Sequence, residues 1–469
     1  MKSFQLFKGL SLLILLNLLV KPVWIFFIDR QVQNTVGFEE YGKYFAVLNL
    51  SYVLFFLADA GLSNMIAQRL ARNTEVSGPQ LLGVKTFLLF LYSSICFFVA
   101  WIAGLERWDI LIYVVLIQAL TSFFIFLRSM VMAHQYFVTD AWFSVIDKLL
   151  MILLCGGLIY TSFFGTISMI LFLQIQMSCI LFSVIAALLF VITNKLIPVG
   201  PGERIVVIIK RIVPFAVIIF LMSLHYRFDG FLLERIHPDG ALEAGIYASA
   251  YRLLDAGNMA GYLAASFIVP FISRHQTNSL LIKKIVVAAR HGLLLVAIAV
   301  TSFSIVFAPW IQQILYHSNA SYNTRIIQLC IAALPAYYLV HVYGSALTAT
   351  SLFKTFITVL LLAVGTNCVL NLVLIPSYGA IGCCISALVS QYLCGVLLVM
   401  ESKKVLSVSI DAKSILIYIL LAILLLLVFY GSKILSINVW IVLLTSVCIT
   451  FLLLIIRLGR IKKYFASLR

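Results

Sequence analysis

GFEEYGKYFAVLNLSYVLFFLADAGLSNMIAQRLAR, residues 37–72, is the stretch from which the rest of this chain can be read. It opens on an acidic pair, Glu39 and Glu40, runs apolar from 41 to 66, and ends in Arg69 and Arg72. The run exceeds the ~20 residues a helix needs to cross a bilayer. Asp59 lies inside it. A charge at bilayer depth costs at least about 2.5–3.5 kcal/mol on insertion scales, so it faces a wet cavity or a partner rather than lipid. Beside Gly61, where a helix can bend, Asp59 is expected to accept a hydrogen bond from backbone or an arginine. The opening recurs: Glu40-Tyr-Gly-Lys-Tyr44 is matched 203 residues on by Glu243-Ala-Gly-Ile-Tyr247, which also leads into a long helix, ending near Arg274.

The same reading extends along the chain. Hydrophobic residues make up 63% of 469, charged residues 11%, and the mean hydropathy is +1.11, which excludes a soluble globular protein. Fourteen spans are expected, at 10–28, 41–66, 81–104, 109–133, 143–164, 168–192, 209–233, 242–271, 285–308, 326–350, 355–374, 379–400, 413–431 and 436–456. The expected class is an all-α polytopic membrane protein. The repeat offset equals six spans, an even number, so the copies run in the same direction, as in transporters built from parallel repeats. The chain therefore divides into an N-lobe at 1–200, a C-lobe at 201–405, and a last part at 406–469 with two additional spans and a basic tail. Two facing lobes imply a central cavity.

The net charge of +16 sits in short loops and the C-terminal tail, which reads as membrane orientation, not nucleic-acid binding. With the N-terminus inside, cytoplasmic segments carry twenty-one Lys and Arg and external loops five: Arg30, Arg107, Arg235, Arg325 and Lys433. Both termini are expected in the cytoplasm. The start reads as a retained first span, since no small-residue cleavage site follows it. The nine cysteines read as apolar packing residues.

Seven bases remain inside spans, Lys21, Lys43, Lys85, Arg128, Lys148, Arg227 and Arg252, against four acids, Asp59, Asp147, Asp229 and Asp255. A cationic interior points to an anionic cargo. Lys21 lies mid-span beside Pro22, which can kink its helix. Span 7 carries His225, Arg227 and Asp229, and span 8 carries Arg252 and Asp255 three apart on one face. Lys43 and Lys85 lie near span ends and are expected to snorkel. Arg128 and Lys148 read either as topogenic charges or as part of a cytoplasmic gate, and Arg252 with Asp255 either as site or as structural pair. Asn367 and Asn371, spaced i, i+4, read with Asp229 as an oxygen set for a small cation such as sodium, or as helix-knitting amides. No phosphate-binding Gly-rich loop is present, so the energy source is expected to be a Na+ or H+ gradient, the membrane potential or the substrate gradient; no other cofactor is expected.

Residues 366–392, TNCVLNLVLIPSYGAIGCCISALVSQY, resemble the N-x-x-L-N-x-x-L-I-P-x-x-G-x-x-G-A-A segment of the polysaccharide-exporter branch of the MOP superfamily. Residues 37–72 and 229–274 resemble that branch too, and only Cys383-Cys384 depart from its small residues. The resemblance implies a Wzx-type flippase of a bacterial inner membrane, not an enzyme. It would move a polyprenyl-pyrophosphate-linked oligosaccharide from the cytoplasmic to the periplasmic leaflet by alternating access, among membrane lipids and beside a polysaccharide polymerase and chain-length regulator. Lys21, Arg227 and Arg252 are then the expected core of the phosphate site, with Arg30, His225, Arg128 and Lys148 contributing and Asp59, Asp229, Asp255, Asn367 and Asn371 as charge partners or coupling groups. A membrane glycosyltransferase or O-antigen polymerase is the first alternative, although the external loops are short for a catalytic domain. A drug/cation antiporter of the same superfamily is the second, against which the excess of buried bases argues.

Overall fold

The computed structural model describes residues 2–63, 65–66, 77–161, 167–201, 205–275 and 278–450. Regular secondary structure among them is entirely helical, and twelve helices are long and apolar enough to cross a membrane. The chain is a multi-pass membrane protein. Its packing falls into two units, Met1–Ala248 and Ser249–Arg469, and the boundary runs through the interior of one helix, Gly240–Arg274.

The first unit opens with a broken span. Helix α1 (Lys2–Val23) passes into a π-helical turn, Trp24–Asp29, and then into α2 (Arg30–Val36). The break follows Pro22, whose ring removes one backbone donor and weakens the helix there, and in the wider turn the Arg30 N–H bonds the Ile25 carbonyl five residues back. Gly37, with φ 85°, turns the chain into α3 (Phe38–Leu54) and α4 (Phe56–Asp59). The bend expected beside Asp59 is present: Ala60 and Gly61 both take positive φ, 47° and 82°. Helices α5 (Gly78–Ile102) and α6 (Trp108–Ala133) follow. The segment expected as the loop 134–142 is mostly a short helix, α7 (Phe137–Phe143), which packs on α1 so tightly that a Cβ on Gly9 would collide with Phe137. Helices α8 (Ile146–Tyr160), α9 (Met169–Thr193) and α10 (Ile205–Ile236) complete the unit, α9 packing on α6 and α10 on α3.

The two Gly-x-Tyr motifs meet. A Cβ on Gly42 would collide with the Ala241 carbonyl, and one on Gly245 with the Phe38 carbonyl. Residues 241 and 245 are 38 and 42 displaced by the repeat offset, so the contact is reciprocal. It forms between α3 and the start of α11 (Gly240–Arg274), both within the first unit.

In the second unit, α12 (Ser279–Tyr316) breaks at Phe307, just before Pro309. The expected span 10 is two helices, α13 (Ser321–Ala332) and α14 (Leu334–Ala349), divided where Pro335 can only start a helix. Element α15 (Phe353–Leu406) has 54 residues, yet the Asn367 amide lies 3.3 Å from the Ser390 hydroxyl. Twenty-three residues of straight helix would separate them by ~35 Å. The element is therefore a hairpin folded at Gly379 (φ 54°, ψ −130°), and it contains both expected spans 11 and 12. Helix α16 (Ala412–Ile434) is span 13. The last helix described, α17 (Val439–Thr450), begins span 14; its remainder and the basic tail lie outside the described residues, as do Arg69 and Arg72.

Candidate functional site: a cationic cluster in the first unit

Three of the expected site residues come together where α1, α6 and α8 approach. Arg128, on α6, is held by Asp140 of α7 in a fork, Nε to Oδ1 at 2.8 Å and Nη2 to Oδ2 at 3.2 Å, with its guanidinium 5.9 Å from the Phe124 ring centre. Lys148, on α8, lies 3.3 Å from Asp147 and 4.3 Å from the centre of the Trp24 ring, so the π turn of the first span supplies a cation–π face to the fifth. Lys21, on the last turn of α1, is half-buried, and the charges acting on it are Asp147, Arg128 and Lys148. It makes no hydrogen bond or ion pair among the described residues. Asn17, one turn earlier, donates to Ser144 at 2.8 Å and pins α1 to the joint between α7 and α8. Three cations against two carboxylates leave a net positive group around an uncommitted ammonium. Such an arrangement can take an anionic oxygen without first breaking an internal bond.

The other expected residues have different settings. Arg30 reaches Gln31 at 3.1 Å, beside Asp29, an acid the sequence reading did not single out, which is fully buried and accepts from the Tyr41 hydroxyl at 2.8 Å. On α10, His225 and Asp229 are buried and the Arg227 guanidinium lies 5.0 Å from the Tyr52 ring centre. Arg252 and Asp255 form the i, i+3 pair at a loose 3.8 Å, in the second unit. Asn371 donates to Asn367 at 3.1 Å along one arm of the α15 hairpin, and Asn367 donates to Ser390 across it. Among the described residues no cluster of three or more His, Cys, Asp or Glu could hold a metal.

Two strongly placed cations were misread in the sequence. Lys85 does not snorkel: its side chain is fully buried and donates to Asp59 at 2.9 Å, to the Ala58 carbonyl at 2.9 Å and to Ser122 at 2.7 Å. Asp59 also accepts from the Ser63 backbone N–H and hydroxyl, so the pair locks the bend at Ala60 and Gly61. The signal available was a lone acid and a lone base in consecutive spans. Arg290, near the start of the expected span 9 but counted with the cytoplasmic bases, is 2% exposed inside α12 and donates to the Tyr343 hydroxyl at 3.0 Å and the Ser409 carbonyl at 2.9 Å. Lys43 does sit at an exposed end, paired with Glu39 at 3.0 Å. At the same end of α3, outside the spans, Arg107 bridges Asp109 and Glu40, which hold its guanidinium above the usual range.

No protein-family model matches this sequence, and no curated protein matches it. Solved structures do. A lipid II flippase, MurJ, in an inward closed conformation superposes with a TM-score of 0.66 at 12% identity, covering 98% of this chain and 100% of that one. An inward-facing multidrug resistance MATE transporter of the MOP superfamily gives 0.61 at 14% identity over 82% and 94%. A MATE transporter of Vibrio cholerae gives 0.61 at 14% over 87% and 97%. This chain has the fold those transporters share.

Proposed function

We propose that this chain is a flippase that carries a polyprenyl-pyrophosphate-linked oligosaccharide across a bacterial inner membrane by alternating access. The observation that carries the reading is the Lys21, Arg128 and Lys148 group, with Lys21 uncommitted at the edge of a π turn. A pyrophosphate cannot cross hydrocarbon unless its oxygens exchange water for donors, and buried bases supply them. The division of labour follows from the side chains: Arg128, already forked onto Asp140, sets a fixed positive field, whereas Lys21 is a mobile point charge free to follow a phosphate. The fold shared with a lipid II flippase supports a lipid-linked cargo.

The fold shared with multidrug transporters supports a second reading, export of an organic cation. The two separate on one experiment. In proteoliposomes the wild type should flip a fluorescent polyprenyl-pyrophosphate glycan, and Lys21→Ala should lose at least about tenfold in rate, with Lys21→Arg retaining more. Transport of organic cations, with no effect of Lys21→Ala on glycan flipping, would sink the proposal.

A further inference from the structure

The second unit contains a cavity of about 410 Å³ walled by α12, the end of α16 and the start of α17. We propose that it binds an anionic phospholipid of the surrounding bilayer, with the lipid phosphate on Lys433.

Four observations converge on that ligand. The first is depth. The cavity lies where α12 ends at Tyr316 and α16 at Ile434, and beside it Trp310 and Trp440 meet edge to face with centroids 5.0 Å apart. Helix ends bearing tryptophans mark the boundary between hydrocarbon and headgroups. The second is charge. Lys433 is the one charged residue in the lining, and it forms no ion pair among the described residues. Gln313, Asn319 and Asn438 add amides around it.

The third is the gradient from polar rim to apolar floor. Beneath the cavity, Phe303, Phe307, Phe429 and Val442 pack as one buried cluster, with Trp310 and Leu425 against it. A soluble anion would have no use for that floor, and a zwitterionic lipid, whose phosphate is already offset by its own cation, gains less from the lysine; a lipid with an unbalanced phosphate at one end and chains at the other uses both. The fourth is the origin of the space. Phe307, the non-helical residue of α12, and Pro309 both line the cavity, so it opens where that helix departs from its axis. A lipid seated there would brace the kink.

The reading is independent of the transported cargo and is tested without transport. The full-length protein, delipidated in mild detergent, is titrated with phosphatidylglycerol or phosphatidylcholine and the bound lipid counted by native mass spectrometry. Phosphatidylglycerol should be retained preferentially. Lys433→Ala and Lys433→Glu should weaken it about fivefold or more, the effect of one lysine on an anionic lipid, while Lys404→Ala, at an exposed lysine far along the sequence, should not. Inorganic phosphate at the same concentration should fail to displace the lipid. Equal retention of the two lipids, unchanged binding in both Lys433 variants, or full displacement by inorganic phosphate would each overturn the proposal.

Discussion

Lys43 and Lys85 look alike in sequence, each within a turn or two of an expected span end, and they end in opposite places. One is an exposed partner of Glu39; the other is fully enclosed. The difference comes from Ser122 and the Ala58 carbonyl, on other elements, which complete the acceptor set around Lys85. Hydropathy along one span carries no information about such neighbours. Removing one member of a buried ion pair leaves the other charge uncompensated, at about 3–5 kcal/mol, whereas replacing both by neutral groups of similar shape is nearly cost-free. Lys85→Ala should therefore lower the thermal unfolding midpoint of the purified protein sharply. Lys85→Met combined with Asp59→Asn should recover most of the loss; a double variant as unstable as the single would show that the charges do not stabilise each other. Arg290 lay inside the expected span 9 yet was counted with the cytoplasmic charges because it sits in that span's first two turns; in α12 Tyr343 and Ser409 receive it.

At the scale of elements, hydropathy located the spans well and their interruptions poorly. Proline accompanies three breaks, after Pro22, before Pro309 and at Pro335, since each lacks a backbone N–H, but only the one at Pro22 was read from the sequence. The form each break takes, a π turn in one span and two successive helices in another, depends on packing that the sequence does not display. The i, i+4 spacing of Asn367 and Asn371 was legible, and helix-knitting was one of the two uses it suggested, but the partner was not, since Ser390 reaches Asn367 only through the reversal at Gly379. Gly379 has a backbone conformation that an L side chain rarely takes, and such strain costs about 1–3 kcal/mol. Gly379→Ala should cut accumulation of folded protein in the membrane. Gly431→Ala, inside α16 with open space around its Cβ position, should leave it unchanged. Equal accumulation of the two variants would mean that the hairpin tolerates the change without strain.

Across the whole molecule, the repeat that two Gly-x-Tyr motifs announced is realised as contact. Gly42 on Ala241 and Gly245 on Phe38 bring two backbones together at a distance no side chain permits. Gly42→Val and Gly245→Val should each disrupt the crossing. Because both act on one shared contact, the double variant should be little worse than either single, a non-additivity measurable in unfolding midpoint and in glycan flipping. Fully additive losses would mean that the two glycines serve separate contacts. A patch in which one residue touches a second while the second's counterpart touches the first is the geometry of a two-fold dimer interface. Here both partners are written into one polypeptide. In a homodimer a single codon change strikes both contacts at once; in this chain each glycine has its own codon, so the two sides of the crossing can drift apart in evolution one at a time.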